Sequence, residues 1–432
     1  MSEREKGIVT RTAGKPDSDV RSPDAPLRVT HVIHSLGRGG AESVLVELAG
    51  VAATAGIEMQ VVSLSSTPHP VNAERLRAAG IPVVELNLPR WDPRAIPGTL
   101  SALRSFRPHV VHTHLKHADL VGGMTASLMR LPVVSTLHVV EDAPARALDR
   151  YKRTAGLVAR RRSAARTIAL STLQREWYEQ LTGSDNGVVV LPNGVADPGT
   201  TDDSERDRLR RELGAVDGRL LIASASLMRP EKGHDLLLDA VSLLPAELRP
   251  VVALAGDGEL RAGLEARVDA DPVLRDRIRF LGYRDDVPAL LAAADLVLHT
   301  SLADALPTTV IQALAVGAPV VATHVGGIPD IVGSQAGLLV APDRGDVAAA
   351  VTRLLTDPEL RTRMGAVGRV RFLESFEATG WARRLRALYD EVLDERVRAR
   401  RSRRAPVSGR DRAAAPSRGR DGSADVTSEA RR

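Results

Sequence analysis

Short, unbroken apolar runs separated by helical segments set the limits on how this chain can fold. "LRVTHVIHSL" (27–36), "IEMQVVSLS" (57–65), "IPVVEL" (81–86), "HVVHT" (109–113), "LPVVSTLH" (131–138), "RTIALS" (166–171) and "GVVVLP" (187–192) form a first series. "RLLIASAS" (219–226), "RPVVALAG" (249–256), "RIRFLG" (277–282), "DLVLHTS" (295–301) and "APVVAT" (318–323) form a second. A strand with one wet face alternates apolar and polar residues. These runs are continuous, the pattern of parallel strands buried on both faces by crossover helices. The class is α/β, with two doubly wound, Rossmann-like domains joined near "LPNGVADPGTTDD" (191–203). Open sheets of this kind bind ligands beyond the carboxyl ends of their strands, so two facing domains enclose a cleft.

The expected limits are 27–195 for the first domain and 196–378 for the second, with a closing helix over 379–398. That helix carries Trp381, Leu385, Leu388 and Val392 at helical spacing, so it must pack on something. Residues 1–26 and 399–432 are rich in Pro, Gly, Ser, Arg and Asp with no apolar period, and are expected to be disordered.

Composition narrows the function. A chain of 432 residues can build two large cores, and 43% hydrophobic with 26% charged residues is a soluble globular balance. With no cysteine, disulfides, thiolate nucleophiles and Cys-ligated zinc are excluded. No run approaches the roughly 18 apolar residues of a spanning helix. "MSEREKGIVTRTAGKPDSDV" has no apolar core, so no signal peptide is expected. The expected location is the cytoplasm or the inner face of a membrane. Residues 27–195 hold 19 basic and 13 acidic groups, residues 196–395 hold 23 and 32, and residues 396–432 hold 12 and 4. The basicity thus sits largely in the tail, which argues against nucleic acid as a partner.

Several strand-end segments carry chemistry. In "SLGRGGAESVLVEL", Gly37, Gly39 and Gly40 let backbone approach a ligand at the start of a helix, where free N–H groups attract an anion. A dinucleotide fingerprint would need glycine at Glu42 and an acid closing the second strand, and both are missing, which disfavours a nicotinamide enzyme. "SLMRPEKGHDLLLDA" places Arg229 and Lys232 between strand and helix; the chain has five lysines against 54 arginines, so Lys232 is not filler. "HVVHTHLKH" is dense in histidine, yet no carboxylate stands at ligand spacing before Asp119, so no metal site is expected. His138 ends a strand facing the cleft. "DALPTTVIQ" holds Asp304 and Gln312, and Thr309 with Gln312 has the T-x-x-Q spacing of a capping box. "VGGIPDIV" offers a second glycine pair before a helix. Together these describe a site for a diphosphate.

The pattern resembles the GT-B glycosyltransferases, in particular the large retaining family GT4, over residues 27 to about 398. The resemblance rests on "HVIHSLGRGGAE", "VVHTHLKHADLVGG", "PVVSTLH", "LPNGV", "RPEKGHDLLLDA", "AGDGEL", "FLGYRDDV", "TSLADALPTTVIQALAVGAPVVATHVGGIPDIV" and "GLLVAPD", in that order. It implies that the closing helix crosses back to the N-terminal domain and that a sugar moves from a nucleotide-sugar donor to a carbohydrate or polyprenyl- or lipid-linked acceptor. No metal or other cofactor is implied. Gly39 and Gly40 would approach the donor diphosphate, Lys232 and Arg229 would bind its phosphates, Gly282 and its neighbours in "FLGYRDD" would line the nucleobase site, and Gly256 would also bind the donor. His138 would sit near the transferred sugar and the acceptor hydroxyl. Asp304 stands where the family has a glutamate on the donor sugar, Leu306, Pro307 and Thr308 follow it, and Gln312 stands where a second glutamate holds the ribose.

Three departures from the family pattern matter. Asp304 is shorter than glutamate by about 1.5 Å. Gln312 lacks the charge, worth about 1 kcal/mol at that contact. Leu227 replaces an arginine that Arg229 would have to supply. A catalytically impaired GT-B protein serving as a scaffold is the alternative reading, and a GT-B epimerase a third. A glycoside hydrolase, which needs two carboxylates flanking the bond, is disfavoured by the amide at 312. The setting expected is envelope or exopolysaccharide assembly. The basic stretch "DRYKRTAGLVARRRSAAR" (149–166) and the Arg-rich tail raise an anionic membrane surface as a further partner.

Overall fold

The computed structural model describes residues 25–139, 154, 156–158, 160–185, 187–200 and 202–404. The tail expectations for 1–24 and 405–432, and residues 149–153, 155 and 159 of the basic stretch, lie outside the described residues.

Every apolar run of the sequence is a strand. The first sheet contains β1 (Leu27–Ile33), β2 (Ile57–Ser65), β3 (Val83–Leu88), β4 (Val110–His114), β5 (Val133–Thr136), β6 (Ala164–Ala169) and β7 (Val188–Val190), in the order β3-β2-β1-β4-β5-β6-β7. The second contains β8 (Leu221–Ala225), β9 (Val251–Ala255), β10 (Ile278–Gly282), β11 (Leu296–His299), β12 (Val320–Thr323) and β13 (Gly337–Val340), in the order β10-β9-β8-β11-β12-β13. All their pairings are parallel. The sequence reading gave the second sheet only five strands. The sixth, β13, is a four-residue edge strand that begins on glycine and is half-buried over its last three residues, too short and too wet to stand out.

Winding reverses between β1 and β4 in one sheet and between β8 and β11 in the other. The crevice of a doubly wound sheet opens at such a reversal. The glycine loop follows β1, the Lys232 loop follows β8, and the Asp304 loop follows β11.

One cluster of buried apolar side chains runs from Val29 and Leu45 through Val195 to Val310 and Leu314. It takes in Trp381, Leu385 and Tyr389 of the helix Ala378–Arg404. That helix does cross back. A Cβ on Gly194 would lie 2.6 Å from the Trp381 Cβ, the Arg386 guanidinium donates to the Gly56 carbonyl at 2.6 Å, and the Tyr389 hydroxyl reaches His112 Nδ1 at 2.6 Å. Burying each large side chain contributes roughly 1.5–3 kcal/mol, which holds the helix on the N-terminal sheet. It runs past the expected end at 398 to Arg404. Among the described residues no helix is long and apolar enough to cross a membrane.

Candidate active site

Two walls meet in a cleft. From the N-terminal half come Arg38, Gly39, Gly40, Ser43, Glu47, Asn72 and Arg75. Facing them are Ser226, Leu227, Gly256, Tyr283, Thr308, Thr309 and Gln312.

The N-terminal wall is shaped by its glycine turn. Gly39 caps the helix Gly40–Val51 without a side chain, and a Cβ there would lie 2.2 Å from Glu42 Oε2. The Asn72 amide donates to the Gly37 carbonyl at 2.6 Å and pins the turn. Burial pushes the Glu42 carboxyl above its ordinary range, against the Arg229 charge, which pulls it down.

The opposite wall depends on Gly256, whose φ of +140 disfavours any other residue and whose missing Cβ would sit 1.9 Å from the Ser226 carbonyl. The Gly256 N–H donates to the Gly282 carbonyl at 2.7 Å, so the two glycines expected to bind the donor are one structural unit. Beside them the Arg38 guanidinium lies 4.0 Å over the Tyr283 ring, and Arg75 forms an ion pair with Asp285. Both contacts join the two walls. Arg284 is held by Asp286, while Arg38 has no carboxylate partner among the described residues.

Lys232 and Asp304 meet one strand further along. Lys232 Nζ donates to Asp304 Oδ2 at 2.5 Å. His299 Nε2 lies 3.5 Å from the same oxygen and the Ser301 hydroxyl 3.4 Å from it. Burial alone would raise the Asp304 carboxyl; hydrogen bonding from His299 and the Lys232 charge outweigh it and hold the group below its usual range. Gly326, with φ +54, comes so close that its Cβ would fall 1.6 Å from the Asp304 carbonyl. This is the work of the "VGGIPDIV" glycines. They seat one loop on another, and the helix they precede, Ile328–Val332, is a single short turn.

The helix after Asp304 corrects one expectation. It spans Thr308–Ala315 with Pro307 at its N-cap and no side-chain cap, so Thr309 and Gln312 form no capping box. The chain enters the helix two residues earlier than the spacing implied, with the N-cap at Pro307 and not at Thr309. The Thr309 hydroxyl donates to the Ala225 carbonyl at 2.8 Å instead, tying the helix start to β8. Gln312 is left facing the cleft, with no side-chain hydrogen bond among the described residues. Leu306, 6% exposed, belongs to the apolar core and is not among the cleft-lining residues.

His138 stands apart from these groups. It lines a small pocket with Lys116, Leu157, Arg160 and Trp177. Its Nε2 lies 2.9 Å from His114 Nδ1, and burial lowers it to about 3, so the imidazole is neutral. Beneath the pocket, Asp119 accepts from Thr113, from Ser135 and from the buried Arg160 guanidinium.

The structure therefore brings Gly39, Gly40, Gly256, Thr308 and Gln312, with Leu227, into one cleft. Lys232 and Asp304 form an ion pair beside them, and His138 sits in a pocket of the N-terminal half. Sequence reasoning passed over Arg38 and His299, and reached Tyr283 only as a neighbour of Gly282 in "FLGYRDD". The signal available for His299 was its place at the end of "DLVLHTS", two residues before Ser301.

Family models match both halves. Residues 38–197 match Glycosyltransferase Family 4 and residues 205–371 match Glycosyl transferases group 1. The chain is 30% identical over 319 residues to the 2-deoxystreptamine glucosyltransferase of Streptomyces kanamyceticus, covering 70% of this chain and 81% of that one. It is 32% identical over 301 residues to the 2-deoxystreptamine N-acetyl-D-glucosaminyltransferase of Streptomyces fradiae, covering 66% and 70%. Among solved structures, Anabaena HepE (Alr3699) in complex with UDP-glucose superposes with a TM-score of 0.74 at 22% identity, covering 86% of this chain and all of that one.

Proposed function

Because this chain belongs to the group 1 glycosyl transferases of family GT4 and is built as two parallel sheets in the GT-B arrangement, we propose that it is a retaining, nucleotide-sugar-dependent hexosyltransferase. The observation that carries the reading is the Lys232–Asp304 ion pair beside a cleft lined by Gly39, Gly40, Thr308 and Gln312. An ammonium poised at a strand end suits the phosphate that leaves. A carboxylate with depressed pKa stays ionised at neutral pH and can accept hydrogen bonds from sugar hydroxyls.

In the proposed reaction the bond from the anomeric carbon to the donor phosphate breaks as the acceptor oxygen bonds to the same face. The acceptor's hydroxyl proton passes to a phosphate oxygen, and a nucleoside diphosphate leaves. Gly39 and Gly40 approach the diphosphate, Lys232 and Arg38 offset its charge, and Gln312 holds the ribose. No metal enters this scheme.

The two Streptomyces relatives are named for 2-deoxystreptamine, but from the pocket at His138 we favour a different acceptor. The pocket's described lining is largely apolar, with Leu115, Leu137, Leu157 and Trp177 around Lys116 and an Arg160 already paired with Asp119, which suits a carbohydrate ring or a lipid-linked acceptor. Envelope or exopolysaccharide assembly remains the setting we favour.

Calorimetry with UDP-, GDP-, ADP- and CDP-sugars, using Lys232→Ala as control, tests the reading and names the base. Saturable binding of one donor, lost in the variant, supports it. A folded protein that binds none of them returns the argument to a scaffold. The anomeric coupling constant of the product decides retention.

A further inference from the structure

Four histidines occupy one face at the centre of the N-terminal sheet. In the β1–β4 register His31 stands opposite His112, and His114 lies two residues further along the same face. His31 Nδ1 lies 3.0 Å from His114 Nε2, and His114 Nδ1 lies 2.9 Å from His138 Nε2. His112 is bound separately, by Tyr389 at Nδ1 and by Thr136 at Nε2. His31 Nε2 is buried without a hydrogen-bond partner among the described residues. It faces a cavity about the size of one water molecule, lined also by Thr136 and Asn193.

Ring nitrogens of His31, His112 and His114 lie within 4.8 Å of one another, a spacing that invites a metal. The hydrogen bonds argue otherwise. Five of the six nitrogens already have partners, and the cavity lining includes no carboxylate to offset a buried cation. Burial keeps all four imidazoles neutral, with His31 lowered to about 3.

A neutral imidazole carries one ring proton. That count fixes the chain His31–His114–His138. If His114 holds its proton on Nδ1, it donates to His138, whose proton must then be on Nδ1. His114 Nε2 must then accept from His31 Nδ1. If His114 holds its proton on Nε2, every assignment inverts. The three rings therefore share one tautomer, and His138 presents either a donor or a bare acceptor at Nδ1.

We propose that His31 and His114 are positioning residues that fix, from inside the core, which hydrogen-bonding character His138 turns toward the acceptor. The choice of acceptor rests on the function proposed above; the coupling of the three rings does not. The residue after His114 supports a held geometry. Leu115 has φ +73 and ψ 156, a region that side-chain-bearing residues rarely enter, and it lines the His138 pocket. Strain kept at that point fixes the strand end that carries His114.

Nitrogen-15 NMR of histidine-labelled protein reads the tautomer of each ring directly. We expect His31, His114 and His138 to report the same one, and finding two tautomers among them would overturn the coupling. In His31→Leu the His138 nitrogen shifts should change and kcat should fall about tenfold with donor KM unchanged, and His31→Asn, which keeps a polar atom near Nδ1, should recover part of both. A folded His31→Leu with unchanged His138 shifts and unchanged kcat would also overturn it. If His31→Leu does not fold, the wild-type spectrum alone decides. If the wild type transfers no sugar, the spectrum still tests the coupling.

Discussion

Lys232 and Asp304 hold each other across 2.5 Å from loops that follow the neighbouring strands β8 and β11, at the reversal of the second sheet. An ion pair so placed is a ready exchange point. An arriving diphosphate can take the ammonium, and an arriving sugar the carboxylate.

The first prediction concerns pH. The folded Asp304 carboxyl lies below its unfolded value, so the pair's contribution is complete above about pH 4, the unfolded value, and is lost as pH falls through the folded one. Asp304→Asn should cost about 1–3 kcal/mol near neutrality, and its Tm deficit should shrink below about pH 4. Thermal melts of both proteins from pH 7 to 3 measure it. A deficit that grows on acidification would contradict the assignment.

Arg38 should matter to donor binding. Its charge has no carboxylate partner among the described residues and lies against Tyr283 across the cleft from Gln312 and Leu227. Losing one charge-assisted contact costs about 1.5–3 kcal/mol, so Arg38→Ala should weaken nucleoside diphosphate binding roughly 10- to 100-fold. Raising salt should narrow the gap between the two proteins. Titration calorimetry at two ionic strengths reads both effects.

At position 312 the expected change runs the other way. Gln312→Glu restores a charged acceptor on the cleft wall, and about 1 kcal/mol at a ribose hydroxyl is roughly a fivefold gain in nucleotide affinity. Equal or weaker binding would show that the ribose lies elsewhere.

Tyr389→Phe should destabilise the fold. The buried His112 Nδ1 loses its 2.6 Å partner, at a cost of about 1–3 kcal/mol. Denaturant midpoints should fall while donor affinity holds. A fall in affinity alone would place Tyr389 in the site and not in its support.

The strands were legible because a buried parallel strand writes itself as an unbroken apolar run, and only the short, half-exposed β13 escaped. The strand-end loops were legible for a related reason, since glycine, lysine and acid stand out against such runs. Contacts between distant segments were not. Arg38 meets Tyr283 across a separation of 245 positions, and no local spacing records that. The histidine chain was partly written, because His112 and His114 two apart on a strand must share a face. His31 joins them only through the register of β1 and β4. Thr309 misled because a four-residue pattern fixes a helix start only when the preceding turn agrees, and here Pro307 set the start first.

The returning helix has a bearing on how the molecule is made. Trp381, Leu385 and Tyr389 close the inner face of the first sheet, yet they are translated after the whole of the second. The half of the protein that leaves the ribosome first is therefore the last to be sealed. His112 waits beneath an open face until nearly three hundred further residues have been added and the returning helix arrives to cover it.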